Sequence, residues 1–334
     1  MANRFLENFS LIKQRKSITM RELFVENGKL FQVARACGSE KSLSHRITEA
    51  DIHFPGLALT GFLYHFHHAK IQFVSDMEWH YINSLPANRR TAALARLFQF
   101  PLPVIVVTHG RTPQPELLAC AKKADVPVFT TPLSSTEAWR RITGFLEETF
   151  ALKTTVHASL ADVYGIGLLY IGPSGIGKSE CVLDLVERGH RLVADDIITI
   201  TRRGDNLVGT GNPLLGHHME IRGVGLINIQ ALFGIRAIRL DKKIEVVVEL
   251  AEWNPRTNFE RLGLSRTAVD ILGVKLDKVT IPIFPGKNIT VISEVIAMNI
   301  LLKYNGVNTA QDFNRKLIET LKQKSESKKK DVDE

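Results

Sequence analysis

The chain has 334 residues, 44% apolar and 23% charged, enough for two domains and a sizeable core. No apolar run reaches the length of a membrane span, and Met1-Ala2-Asn3-Arg4-Phe5 does not open a secretory signal, which points to the cytoplasm. The net charge of +8 suits a nucleotide site and an acidic protein partner; no basic stripe interleaved with aromatics and no groove-reading motif is present, which argues against nucleic acid.

The first 48 residues hold nine Lys and Arg against four acidic residues, so part of the surplus charge sits there. Pro103–Thr108 is a β-branched run that predicts a buried strand, Pro113–Ala124 a helix, and Val126–Thr130 a second strand. Strand, helix and strand at this spacing predict a parallel pair. Residues 1–133 are therefore expected to form a small α/β domain. Ser134-Ser135-Thr136 caps a helix with Glu137 in its first turn, and residues 134–150 are expected to connect two domains.

From 151 to 321 the pattern becomes richer in strands. His157–Val163 and Gly167–Ile171 predict a hairpin through Tyr164-Gly165-Ile166. Arg191–Ile200 reads as one strand carrying two carboxylates, and Ile244–Leu250 as another strand. Thr290–Lys303 returns to helical spacing, and the charged tail 322–334 is expected to be disordered. Cys37, Cys120 and Cys181 have neither metal nor disulfide spacing and read as free thiols.

Gly172-Pro173-Ser174-Gly175-Ile176-Gly177-Lys178-Ser179 is a complete phosphate-binding loop, G-x-x-x-x-G-K-[ST]. An apolar strand precedes it and a helical pattern, Glu180–Glu187, follows. Glycines let backbone N–H groups turn toward phosphate oxygens, and the helix adds its unpaired amides and positive dipole end. Lys178 would neutralise the β- and γ-phosphates and the Ser179 hydroxyl would hold Mg²⁺. Asp195 and Asp196 follow 17 and 18 residues after Lys178, close enough to set their strand beside the loop. On a pleated strand they face opposite ways, and Asp196 is preferred as the carboxylate facing the nucleotide.

The remaining segments are ambiguous when read singly. His157 alone reads as a structural histidine. Met219-Glu220-Ile221-Arg222-Gly223-Val224-Gly225-Leu226-Ile227-Asn228 suits either a close approach to a ligand, with Glu220 on Mg²⁺, or a glycine-rich bulge. Arg261 suits transition-state charge stabilisation or an ordinary surface role. Pro282-Ile283-Phe284-Pro285-Gly286-Lys287 is a turn-rich loop whose lysine suits phosphate or a partner.

Taken in order, these motifs resemble the HPr kinase/phosphorylase family, bacterial regulators of sugar use. The resemblance is dense from Val156-His157 through Glu187–Asp196, Glu220–Gly225, Arg261-Leu262-Gly263, Pro285–Asn288 and Glu294–Met298, and loose over the first 130 residues. It implies an α/β fold with a C-terminal kinase domain similar to phosphoenolpyruvate carboxykinase. It implies ATP- or pyrophosphate-dependent phosphorylation of a serine on the carrier protein HPr, and phosphorolysis of that phosphoserine by inorganic phosphate. Asp196 would take the serine proton and return it in reverse, assisted by His157. Ser179 and Glu220 would hold Mg²⁺, and Arg261 would be an essential arginine. Residues 219–228 would serve both reactions and 282–287 mainly dephosphorylation. A homohexamer is also implied.

Two positions depart from the family. Ala158 stands where glycine is usual, and Phe284 where a charged or polar residue commonly precedes Pro-Gly, which bears on phosphorolysis. A small-molecule or carboxykinase-like kinase on the same scaffold is the alternative; the absence of an Asn-Lys-x-Asp motif argues against a GTP switch.

Overall fold

The computed structural model describes residues 9–12, 14–212, 216–254, 267–307, 312–313, 315–316 and 318–320. The tail expected to be disordered, 322–334, lies outside them. The chain divides into two units, Gln14–Ala151 and the remainder, in which Met1–Lys13 groups with Leu152–Glu334.

Strand β1 (Phe9–Ile12) precedes the first unit. That unit runs β2 (Ile18–Thr19), α1 (Gly28–Phe31), β3 (Ala34–Cys37), β4 (Arg46–Ile47), β5 (Ile52–His53), α2 (Gly56–Thr60), β6 (Ile71–Val74), α3 (Asp76–Ser84), α4 (Ala87–Leu97), β7 (Ile105–Val107), α5 (Pro115–Lys123), β8 (Val128–Thr130) and α6 (Ser135–Phe150). Its main sheet has the order β3-β8-β7-β6-β5, with β5 to β8 parallel and β3 antiparallel. Strand β7, an apolar run, and β6, apolar but for Gln72, are buried on both faces, as parallel strands under helices require.

Ser75 and Glu78 cap α3 reciprocally, which satisfies two otherwise unpaired N–H groups. The Ser134 hydroxyl accepts from the Glu137 N–H at the start of α6. Helix α6 buries Ala138, Ile142 and Leu146, one face at i, i+4, i+8, in the core of this same unit. By packing, the helix expected as a connector belongs to the N-terminal body.

The second unit runs β9 (Lys153–His157), β10 (Ser159–Val163), β11 (Ile166–Ile171), α7 (Lys178–Glu187), β12 (Arg191–Ala194), β13 (Ile197–Arg203), β14 (Asn206–Gly211), β15 (His218–Ile221), β16 (Gly225–Asn228), α8 (Ile229–Phe233), β17 (Asp241–Lys243), β18 (Val246–Glu252), β19 (Thr267–Ile271), β20 (Val274–Ile283) and α9 (Ile289–Tyr304). Strand β1 joins it by pairing antiparallel with β9. Two sheets, β1-β9-β13-β14-β17 and β12-β10-β11-β18-β20-β19, are accompanied by the hairpin β15-β16.

The six-stranded sheet is the middle layer. Along β11, Leu169 and Ile171 enter the core shared with the five-stranded sheet, while Leu168 and Tyr170 pack toward α7 and α9. This period of two, buried on both faces, is why β11 reads as a continuous apolar run. Each fully buried Leu or Ile contributes about 1.5–3 kcal/mol.

Two expected strands are each broken in the middle. The stretch 157–163 ends one strand at His157 in the five-stranded sheet and begins another at Ser159 in the six-stranded one. The stretch 191–200 crosses the other way, from β12 to β13, through Asp195 and Asp196. Aspartate is a poor strand former, and Asp196 takes a left-handed φ of 68° at the crossing. Apolar patterning continues on both sides, so the run reads as one strand although it serves two sheets. The crossings lie side by side, joined by a bond from the Ala158 N–H to the Asp196 carbonyl of 3.1 Å.

Candidate active site

The phosphate-binding loop connects β11 to α7, in the strand–loop–helix context its residues predict. Gly172, at φ 149°, approaches the next strand so closely that a Cβ would lie 2.5 Å from the Leu250 carbonyl oxygen. The Lys178 ammonium donates to the carbonyls of Gly172 at 3.1 Å and Pro173 at 3.0 Å. Burial pulls the Lys178 amine below its ordinary value, against the opposing charges of Asp195, Asp196 and Glu180.

The two aspartates separate at the crossing. Asp195 is buried at 7% exposure and accepts from the Ser159 hydroxyl at 2.5 Å and from the Ser179 hydroxyl of the loop. Burial raises its carboxyl, with those hydrogen bonds acting against the rise. Asp196 is exposed, and its Oδ1 lies 3.5 Å from Nδ1 of His157, at the edge of hydrogen-bonding range. It is Asp195, then, that touches the phosphate loop, while Asp196 stands with His157. Continuous pleating predicts opposite faces of one strand; the break places the pair at the junction of two sheets.

Hairpin β15-β16 packs against α7. Met219 inserts into the core, and Glu220, the next residue, is exposed opposite Leu226. Asn228 caps α8 by accepting from the Ala231 N–H at 2.9 Å. Arg222, in the hairpin turn with Gly223, Val224 and Gly225, lies against Gly175 of the loop. The stretch is thus a hairpin whose turn leans on the phosphate loop, and its alternation explains Ile221 and Ile227 as core-facing neighbours.

Pro282 and Ile283 end β20, and Phe284-Pro285-Gly286-Lys287 turns into α9, which Asn288 caps by accepting from the Val291 N–H. The Lys287 ammonium sits 5.1 Å above the Phe284 ring, and burial lowers its amine from the ordinary value. A cleft of about 410 Å³ separates this turn from α7, with Gly177, Glu180 and Asp184 on one wall and Lys287 and Thr290 on the other. Arg261 lies outside the described residues.

Several participants escaped the sequence. Ser159 and the α7–α9 clamp, in which Glu294 receives Arg188 and His190, carry no spacing signal, and Arg222 was named within its stretch without its contact to Gly175. Their partners come from other strands and helices.

The oxygen-rich donors Ser179, Asp195, Asp196 and Glu220 suit Mg²⁺, a hard cation that prefers few carboxylates together with substrate phosphates. Among the described residues no three His, Cys, Asp or Glu side chains form a metal cage, so an ion here would share its coordination with phosphate oxygens. Phosphate loop, flanking carboxylates and an exposed aspartate beside a histidine define a phosphotransferase of the phosphate-loop class.

The chain belongs to the HPr kinase/phosphorylase family. Residues 148–317 match the HPr Serine kinase C-terminal domain and residues 18–146 the HPr Serine kinase N terminus. It is 46% identical over 273 residues to the HPr kinase/phosphorylase of Chloroherpeton thalassium, covering 81% of this chain and 80% of that one. With the HPr kinase/phosphorylase of Prosthecochloris aestuarii it shares 45% identity over 307 residues, 91% of this chain and 90% of the relative. The solved Hpr(Ser) kinase/phosphatase from Coxiella burnetii aligns with 45% of this chain and 98% of its own, at 29% identity and a TM-score of 0.42.

Proposed function

We infer that this protein transfers a phosphoryl group from ATP or pyrophosphate to a serine of HPr, and returns it from phosphoserine to inorganic phosphate as pyrophosphate. The observation that carries the reading is the Ser179–Asp195 contact beside the exposed Asp196–His157 pair, within a chain of this family.

In the forward direction Asp196 accepts the serine proton as the serine oxygen bonds to phosphorus and the bond to the donor's bridging oxygen breaks. In reverse a phosphate oxygen attacks, the phosphorus–serine bond breaks, and Asp196 returns the proton to the leaving oxygen. One carboxylate serves both ways, as microscopic reversibility requires. Its exposure admits a protein-borne hydroxyl, and His157 orients it. Lys178 leaves its loop carbonyls to meet the phosphates, and Arg261 is assigned by resemblance to the developing charge. Ser179 and Glu220, with Asp195 behind Ser179, would hold Mg²⁺, which would supply positive charge against the phosphates. Residues 219–228 serve both reactions and 282–287 the return reaction.

Assembly as a homohexamer and a cytoplasmic location complete the proposal. An apolar exposed row on α9, Val291, Val295, Met298 and Leu302, supports assembly, and no described helix is long and apolar enough to cross a membrane.

The test is incubation with HPr, Mg²⁺ and ATP, then with inorganic phosphate. Phosphoserine forming and then disappearing with release of pyrophosphate is expected. No phosphoserine beside an active control overturns the reading.

A further inference from the structure

Arg222 occupies a position that neither its sequence neighbourhood nor its hairpin needs. The hairpin closes by a bond from the Val224 N–H to the Ile221 carbonyl of 3.1 Å, with Gly223 and Gly225 at φ 85° and 98° providing the turn. The Arg222 side chain then extends to the middle of the phosphate loop. A Cβ built on Gly175 would lie 2.5 Å from both terminal guanidinium nitrogens and 2.7 Å from Cζ, so the arginine's head occupies the space that the missing side chain leaves. Gly175 is itself left-handed, at φ 76°.

Among the described residues this guanidinium makes no salt bridge and no hydrogen bond, although the charges of Asp195, Asp196 and Glu180 bear on Lys178 of the same loop. Lys178 is held at the loop's first two carbonyls, Gly172 and Pro173, three and two positions before Gly175. The two cations therefore address different parts of a bound polyphosphate. A guanidinium presents two parallel N–H groups that match two oxygens of one phosphate, which an ammonium cannot do.

We propose that Arg222 is a catalytic residue, the second cation of the site, which grips the terminal phosphoryl group of the donor across Gly175 and follows it through transfer in both directions. The proposal rests on the reading of this site as an HPr kinase/phosphorylase. It makes the arginine a discriminator between nucleoside triphosphate and diphosphate.

The test uses the full chain and the variants Arg222→Ala and Arg222→Lys. ADP and the β,γ-imido analogue of ATP are titrated with Mg²⁺ present, and both reactions are timed with HPr. For Arg222→Ala, ADP affinity stays within twofold of wild type while the analogue weakens tenfold or more. Both turnover rates fall by about 10²–10³, the scale of one preorganised charge-stabilising donor. Arg222→Lys regains part of the analogue affinity and little of the rate. Analogue affinity and rates within threefold of wild type overturn the proposal. Equal loss of ADP and analogue also overturns it, because the side chain would then merely prop the loop. The binding comparison needs no HPr, so it remains readable even where wild type fails to phosphorylate that protein.

Discussion

Nδ1 of His157 stands 3.5 Å from Oδ1 of Asp196, and the contact is a consequence of strand register. Strands β9 and β13 pair antiparallel with His157 opposite Ile197, and the neighbouring Ala158 N–H bonds the Asp196 carbonyl. Strand β9 ends and β13 begins at this point of one sheet, so both side chains emerge at the same corner. As both are well exposed, the pair contributes little to stability.

Asp196→Ala is accordingly expected to abolish phosphorylation and phosphorolysis while leaving nucleotide affinity within a few-fold of wild type and lowering the melting temperature by only a few degrees, the cost of alanine at a left-handed φ of 68°. Titration of ATP analogue alongside both assays checks it. Loss of nucleotide affinity would instead place Asp196 on the metal.

Lys178→Ala should cost about 3 kcal/mol of transition-state stabilisation, the scale of a preorganised donor to developing charge. The loss appears in kcat/KM of both directions. An effect below tenfold in both would contradict the role, since the ammonium would then only brace the carbonyls of Gly172 and Pro173.

Asp195→Asn separates stability from activity. Burial raises the Asp195 carboxyl above its ordinary 3.8, so its contribution to stability is present below that value and is lost as the pH rises through the folded one. At neutral pH the ionised group sits at a cost that the amide lacks. The variant should melt no lower than wild type at pH 7, and any gain should vanish toward pH 4. Both reactions should nevertheless be severely impaired, because Ser179 loses its carboxylate. A melting temperature lower by about 4 °C or more at pH 7, roughly 1 kcal/mol for a domain of this size, contradicts the burial argument.

Glu294→Gln should loosen α7 from α9. Arg188 donates to Glu294 through Nε at 2.9 Å and a terminal nitrogen at 2.7 Å, and His190 lies 3.1 Å away. Discounted for an Arg188 side chain that is 48% exposed, the expected loss is about 2 kcal/mol. The Arg188 guanidinium, more than burial, sets the Glu294 carboxyl below its ordinary 4.5. Its contribution is therefore full above 4.5 and is lost as the pH falls through the lowered value. Urea melts from pH 3 to 7 should show wild type and variant converging at the acid end. Parallel curves across that range would contradict the clamp.

Local chemistry was legible without coordinates. The loop at Gly172–Ser179 is readable because phosphate binding needs glycines, a lysine and a hydroxyl at fixed spacing on one strand–turn–helix unit. The parallel pair β7-β8, the helix α9 and the Ser134 cap are readable for the same reason, since propensity, periodicity and capping act within a few residues. The order of motifs from His157 to Lys287 was sufficient to recognise the family.

What spacing did not reveal depends on where the chain changes sheets. Apolar alternation runs on through His157–Ser159 and through Asp195–Asp196, yet each segment is shared between two layers. That crossing buries Asp195 against Ser179, exposes Asp196 beside His157, and lets a hairpin some forty residues downstream of the loop lay Arg222 on Gly175. Sequence by itself determined that this protein holds a polyphosphate and to which family it belongs. Only tertiary structure decided which carboxylate braces the loop and which one stands exposed beside His157, because burial and partner choice are set by packing between distant segments, and period and propensity carry no record of it.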